Sequence, residues 1–132
     1  MKYVVIVCRF LLGIGFAFSG LNILHPLGKM PAMDPSLPST QWSMIMMHSG
    51  WMYAVGATQL IGGLLLLLRG TVPLGLCVLA PMLVNILCFH AFLTAGHGIL
   101  PGVICTLFWL VLVYAYRASF AGIFTTKAAP AA

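Results

Sequence analysis

Acidic residues are nearly absent. The chain of 132 residues holds one, Asp34, and no glutamate. Catalysis by paired carboxylates needs two acids side by side, and ion-coupled carriers usually place carboxylates inside the membrane. With a single acid in a loop, hydrolase triads, glycosidase dyads and carboxylate metal sites are excluded. Charge of either sign is scarce at 5% of residues, whereas a soluble domain carries roughly 25%. Basic residues form no cluster and do not alternate with aromatics, so nucleic acid is excluded as a partner. The four cysteines (Cys8, Cys77, Cys88, Cys105) form no C-x-x-C. Single cysteines in apolar helices mostly act as small hydrophobes. Cys88 and Cys105 fall at matching depth in their segments, and a bridge there would need their β-carbons within about 4.5 Å.

What is present is apolar. Hydrophobic residues make up 62% of the chain, and the mean hydropathy is +1.12. A membrane-spanning helix takes about 20 such residues. Four stretches qualify, over about 3–24, 46–68, 72–94 and 99–121. They predict an all-α integral membrane protein, a four-helix bundle forming one domain over 1–124 with a short tail at 125–132. Arg9 interrupts the first apolar stretch, which continues to Leu24, so this segment reads as a span rather than a signal peptide. The segment 25–45 contains Pro26, Pro31, Pro35 and Pro38 and reads as an external loop. Lys2, Arg69, Arg117 and Lys127 all fall on one side, and Lys29 faces them from the other. The positive-inside rule then places both termini in the cytoplasm, with Arg9 snorkelling toward the same face.

The polar residues inside these spans are few and uncharged apart from Arg9 and Arg117, both toward the cytoplasmic ends. Gly15, Ser19 and Asn22 share one face of the first span, small enough for close helix approach. On the second, His48 and Gln59 look the same way, and Gly62 marks a close contact. The third, "LAPMLVNILCFHAFL" at 79–93, carries Pro81, Asn85 and His90. Pro81 frees the carbonyl of Cys77, and Asn85 lies one turn on. The structural reading makes Asn22, Pro81, Gly15 and Gly62 packing and hydrogen-bonding devices. The functional reading gathers Asn85, His90, Gln59, Tyr53 and Trp109 around a polar pocket. A quinone headgroup would suit that pocket, being flat with two carbonyl acceptors between apolar walls. Asn85 and His90 are five residues apart, about 140° around an ideal helix, so sharing a ligand requires a kink or a large ligand. A haem or metal between His48 and His90 lacks any carboxylate to orient an imidazole.

The run "GGLLLLLRGTVPLGLCVLAPMLVNILCFHAFL", with "RFLLGIGFAFSGLN" before it and "YAYRASF" after it, resembles the DoxX family of small bacterial membrane proteins. Its P-x-x-x-N-I-x-x-F-H pattern is Pro81, Asn85, Ile86, Phe89 and His90. Gln59 and Ile23 stand where relatives often carry Glu and Lys, so an ion-pair or proton-transfer role loses its charges. The resemblance implies a four-helix protein of the inner membrane, acting as a non-catalytic subunit or anchor of a redox-linked complex. Its partners would be the lipid bilayer and other membrane or periplasmic subunits, or copies of itself. A quinone-binding protein using His90 and Asn85 is the alternative, and a carrier for a small neutral solute a third reading.

Overall fold

The computed structural model describes residues 2–28 and 34–124. Lys29, Pro31, Lys127 and the tail 125–132 lie outside them. The described residues are helical, with no strand among them: α1 (Lys2–Leu24), α2 (Pro38–His48), α3 (Trp51–Leu67), α4 (Val72–Cys88), α5 (Ile99–Ala115) and α6 (Arg117–Phe120). A 3₁₀ turn, Arg69–Thr71, leads into α4, and a π-helical turn, Phe89–Leu93, continues it.

Two helical stretches are long and apolar enough to cross a membrane, α1 and the continuous run Arg69–Leu93. A third crossing is available if α2 and α3 count as one broken span. The second apolar stretch is therefore not the straight helix over 46–68 that hydropathy predicts, and the loop over 25–45 is shorter than expected. Pro38 opens α2, where a missing N–H costs nothing. Gly50 closes it with φ +76, a left-handed conformation that suits glycine. The N–H of Ser49 donates to the Ile45 carbonyl at 2.9 Å, and α3 departs at 89° to α2. Just before α2, the backbone N–H and hydroxyl of Ser36 both donate to Asp34 Oδ1, at 2.9 and 2.7 Å. These bonds, the backbone one first, hold the Asp34 carboxyl below the ordinary aspartate pKa.

The fourth stretch also ends earlier than 121. The helix stops at Ala115, and the Arg117 guanidinium donates from Nη1 to the Tyr114 carbonyl at 3.0 Å, a cation satisfying a helix C-terminus. At 17 residues α5 is shorter than a usual span.

Glycine sets how the helices pack. A Cβ at Gly63 would fall 2.7 Å from the Gly13 carbonyl oxygen and closer still to the Ala17 amide nitrogen. One at Gly20 would strike the backbone of Gly56 and Leu60. The α1–α3 seam is thus backbone against backbone, antiparallel, with Gly13 and Gly20 opposite Gly63 and Gly56. Both pairs are seven residues apart, the period that keeps a seam in register along a left-handed crossing. The neighbouring Gly62 faces the other way, where a Cβ would meet Leu79 at 2.6 Å, so α4 packs on the adjacent side of α3. Leu12, Phe16, Leu66, Val72, Leu76, Leu79, Leu83 and Leu112 fill the interior between α1, α3, α4 and α5.

Gly15 is not part of this seam. It is exposed, and nothing lies within 4 Å of the position its Cβ would take. The small face of α1 that meets a helix is Gly13–Ala17–Gly20, offset from the Gly15–Ser19–Asn22 face that spacing suggested. Asn22 is a capping residue, its Oδ1 accepting the Leu27 N–H at 3.1 Å.

Candidate functional site

Trp109 on α5 donates from Nε1 to the Leu76 carbonyl of α4 at 2.9 Å. A carbonyl in the interior already serves its own helix, and this second bond ties two helices at a fully buried residue. Trp109 is therefore a cross-link between α4 and α5. Replacing it with phenylalanine should cost about 1 kcal/mol, the usual scale for such bonds in membranes, read as a lowered unfolding midpoint in detergent. The bond lies one residue before Cys77, whose carbonyl Pro81 was expected to free. Asn85 does not bond there.

His90 sits in the π-helical turn. Its Nδ1 lies 2.9 Å from the His97 carbonyl oxygen. A carbonyl only accepts, so the neutral ring carries its proton on Nδ1 and leaves Nε2 as a bare acceptor. Thr94 Oγ1 lies 2.8 Å from the His90 carbonyl and 2.7 Å from that of His97. Ala95, Gly96 and Gly98 all have positive φ, and a Cβ at Gly98 would approach the imidazole Cε1 to 3.3 Å. The histidine thus holds together the tight turn between α4 and α5. Its edge also meets Phe89 at 5.2 Å, and Phe89 meets Trp42 of α2 at 5.1 Å. This aromatic chain seats α2 on the turn.

Asn85 is exposed, and its side chain makes no hydrogen bond to any described residue. It lies on the outward face of α4 with Leu74, Cys77, Pro81, Val84 and Cys88, all exposed and recurring three and four apart. Tyr53 is 62% exposed near the start of α3. Gln59 is the opposite case. It is 6% exposed, on the face that carries Gly56 and Gly63, and its Oε1 is sealed without a donor. The five residues predicted to share a pocket thus have three different environments: outward-facing (Asn85, Tyr53), tied to backbone (His90, Trp109) and sealed (Gln59). Helix α4 continues through Pro81 without the break that would turn Asn85 and His90 to one ligand.

A groove does exist elsewhere. Between α1, α4 and α5 lies an open cavity of about 210 Å³, lined by Leu11, Leu12, Gly15, Phe16, Ser19, Ile86, Pro101, Gly102 and Cys105. None of the five predicted ligand residues lines it. The small face Gly15–Ser19 was legible in the sequence, and here it forms a wall rather than a helix contact. Gly102, buried against Ile86 and Leu87, supplies the opposite wall. No family model, curated protein or solved structure matches this chain. Cys8, Cys77, Cys88 and Cys105 are free thiols, and Cys88 and Cys105 are unbridged. Among the described residues no three His, Cys, Asp or Glu side chains gather as metal ligands.

Proposed function

We propose that the protein is a non-catalytic membrane subunit or anchor of the kind the DoxX resemblance implies, docking another integral membrane chain along the outward face of α4. Asn85 carries this reading. An amide on a face turned to lipid finds no donor or acceptor in hydrocarbon, and interhelical bonding is the usual use of such a group. Pro81 and the two small thiols Cys77 and Cys88 flank it and leave room for a helix to come close. In this reading α1, the broken pair α2–α3, α4 and α5 make a four-helix bundle in the inner membrane, with both termini cytoplasmic. Support for that orientation comes from Lys2, Arg69 and Arg117, which gather at one end of the helices. The redox-linked character of the partner complex rests on the resemblance alone.

The test is a gentle-detergent pull-down of the wild type and Asn85→Leu. The wild type is expected to retain an integral membrane partner or further copies of itself, and Asn85→Leu to retain about tenfold less, the ratio that matches about 1.4 kcal/mol of interhelical bonding. Because Asn85 has no internal partner, the variant should keep its own stability to within about 0.5 kcal/mol. Equal recovery of the partner by both proteins rules the reading out.

A further inference from the structure

An arginine seven residues beyond Lys2 in a membrane helix would ordinarily run its stem back toward water. Arg9 does so only at its tip: the residue is 7% exposed, its Nε is sealed without an acceptor while the terminal nitrogens are not sealed, and the side chain makes no hydrogen bond to any described residue. Its recorded contact is with the ring of its neighbour Phe10, 4.9 Å from the guanidinium carbon. A cation–π contact is a weak exchange for the hydration a buried charge gives up. Arginine does not escape by losing its proton. An anion at the accessible tip would offset that loss.

The chain's side chains offer none. Gly13, one turn further along the same face of α1, abuts Leu67 at the end of α3, which places Arg9 at the level of the connection into α4. The same end carries Lys2, Arg69 and Arg117, all exposed. The single acidic side chain, Asp34, lies beyond Leu24 at the opposite end. No described side chain supplies the anion, and the groove indicates the shape of a molecule that would. Arg9 does not itself line the cavity between α1, α4 and α5, but Leu12 and Phe16, three and seven residues on and close to its face of α1, do. From Leu11 to Ser19 that cavity follows the helix for about 12 Å, walled by apolar side chains and open at Gly15.

We infer that Arg9 and this groove together form a site for one anionic phospholipid, the guanidinium holding the phosphate oxygens and the groove an acyl chain. The planar fork of the guanidinium matches a phosphate bidentately. Basic pockets between membrane helices near a bilayer face commonly take such headgroups. A carboxylate from a partner protein would satisfy the charge but leave the groove unexplained, and free phosphate would do the same.

The full-length protein in mild detergent is titrated separately with phosphatidylglycerol, phosphatidylcholine and inorganic phosphate. Bound lipid is read by native mass spectrometry and protection by thermal unfolding. The wild type should retain phosphatidylglycerol at least tenfold better than phosphatidylcholine, and Arg9→Gln should lose that preference. Gly15→Leu, which fills open space in the groove, should weaken retention of long-chain lipid while sparing short-chain lipid of the same headgroup. Thr58→Ala, whose hydroxyl bonds only its own helix at Ala54, serves as the unchanged control. If Arg9→Gln does not fold, Arg9→Lys keeps the charge without the fork and should retain the lipid several-fold less well. The inference is overturned by equal retention of the two lipids by the wild type, or by an Arg9→Gln preference like that of the wild type. It is overturned equally by full protection from inorganic phosphate alone. A protein partner lost from Arg9→Gln with the lipid preference intact would reassign the arginine and overturn it too.

Discussion

Gly63→Ala is expected to cost about 2–3 kcal/mol of stability, and Gly15→Ala to raise it by up to about 1 kcal/mol. Both add one methyl group to a helical glycine, so helix propensity favours both changes by a similar amount, roughly 1 kcal/mol. Only the surroundings differ. The Gly63 methyl would be driven between the Gly13 carbonyl and the Ala17 amide, which are backbone atoms with no rotamer through which to withdraw. The whole of α1 has to move, and with it the seam that Gly20 and Gly56 close further along. The Gly15 methyl enters open groove. Unfolding of the two variants in a graded denaturing detergent, against the wild type, checks this. Equal midpoints for the two variants would mean that α1 and α3 do not meet backbone to backbone.

Gln59→Met is expected to raise stability by about 1–2 kcal/mol in protein purified free of ligand. A buried amide oxygen without a donor carries its full desolvation penalty, about 1–3 kcal/mol. Methionine has nearly the same length and volume, and such swaps disturb packing little. Turning the amide over does not relieve the problem, since an N–H would then be sealed in place of the oxygen. Thermal unfolding measured at matched detergent concentration reads the change. Loss of stability in Gln59→Met would show that the oxygen is satisfied within the folded protein itself and carries no such penalty.

Much of the site was hidden in the sequence for a reason that Asn85 and Gln59 illustrate. In a water-soluble helix the polar residues mark the outside, and the buried face can be read from the pattern. In a chain as apolar as this one the contrast is missing, so a polar side chain on a span is as compatible with the seam as with the lipid face. Gln59 is sealed and Asn85 is outward, though both are lone amides near mid-span. His90 and Trp109 spend their polar atoms on backbone carbonyls, at His97 and Leu76, and no local pattern names those partners. The glycines were the better guide. The equal seven-residue spacing of Gly13–Gly20 and Gly56–Gly63 was on view, while attention to the face of Gly15 picked out a groove wall instead.

The sequence by itself determined that this chain is helical and belongs in a membrane, because hydropathy and near absence of charge are sums over residues that need no neighbour. Pro38, Gly50 and the Gly96–Gly98 turn act through their own backbone, yet hydropathy alone ran one straight helix across Gly50 and left Pro38 in a loop. Only the tertiary structure decided which flank of each helix meets another. In hydrocarbon that choice follows from how closely two backbones can approach, a matter of contact between distant residues. The same geometry buried most of Arg9 and sealed its Nε, far from the chain's one acidic side chain.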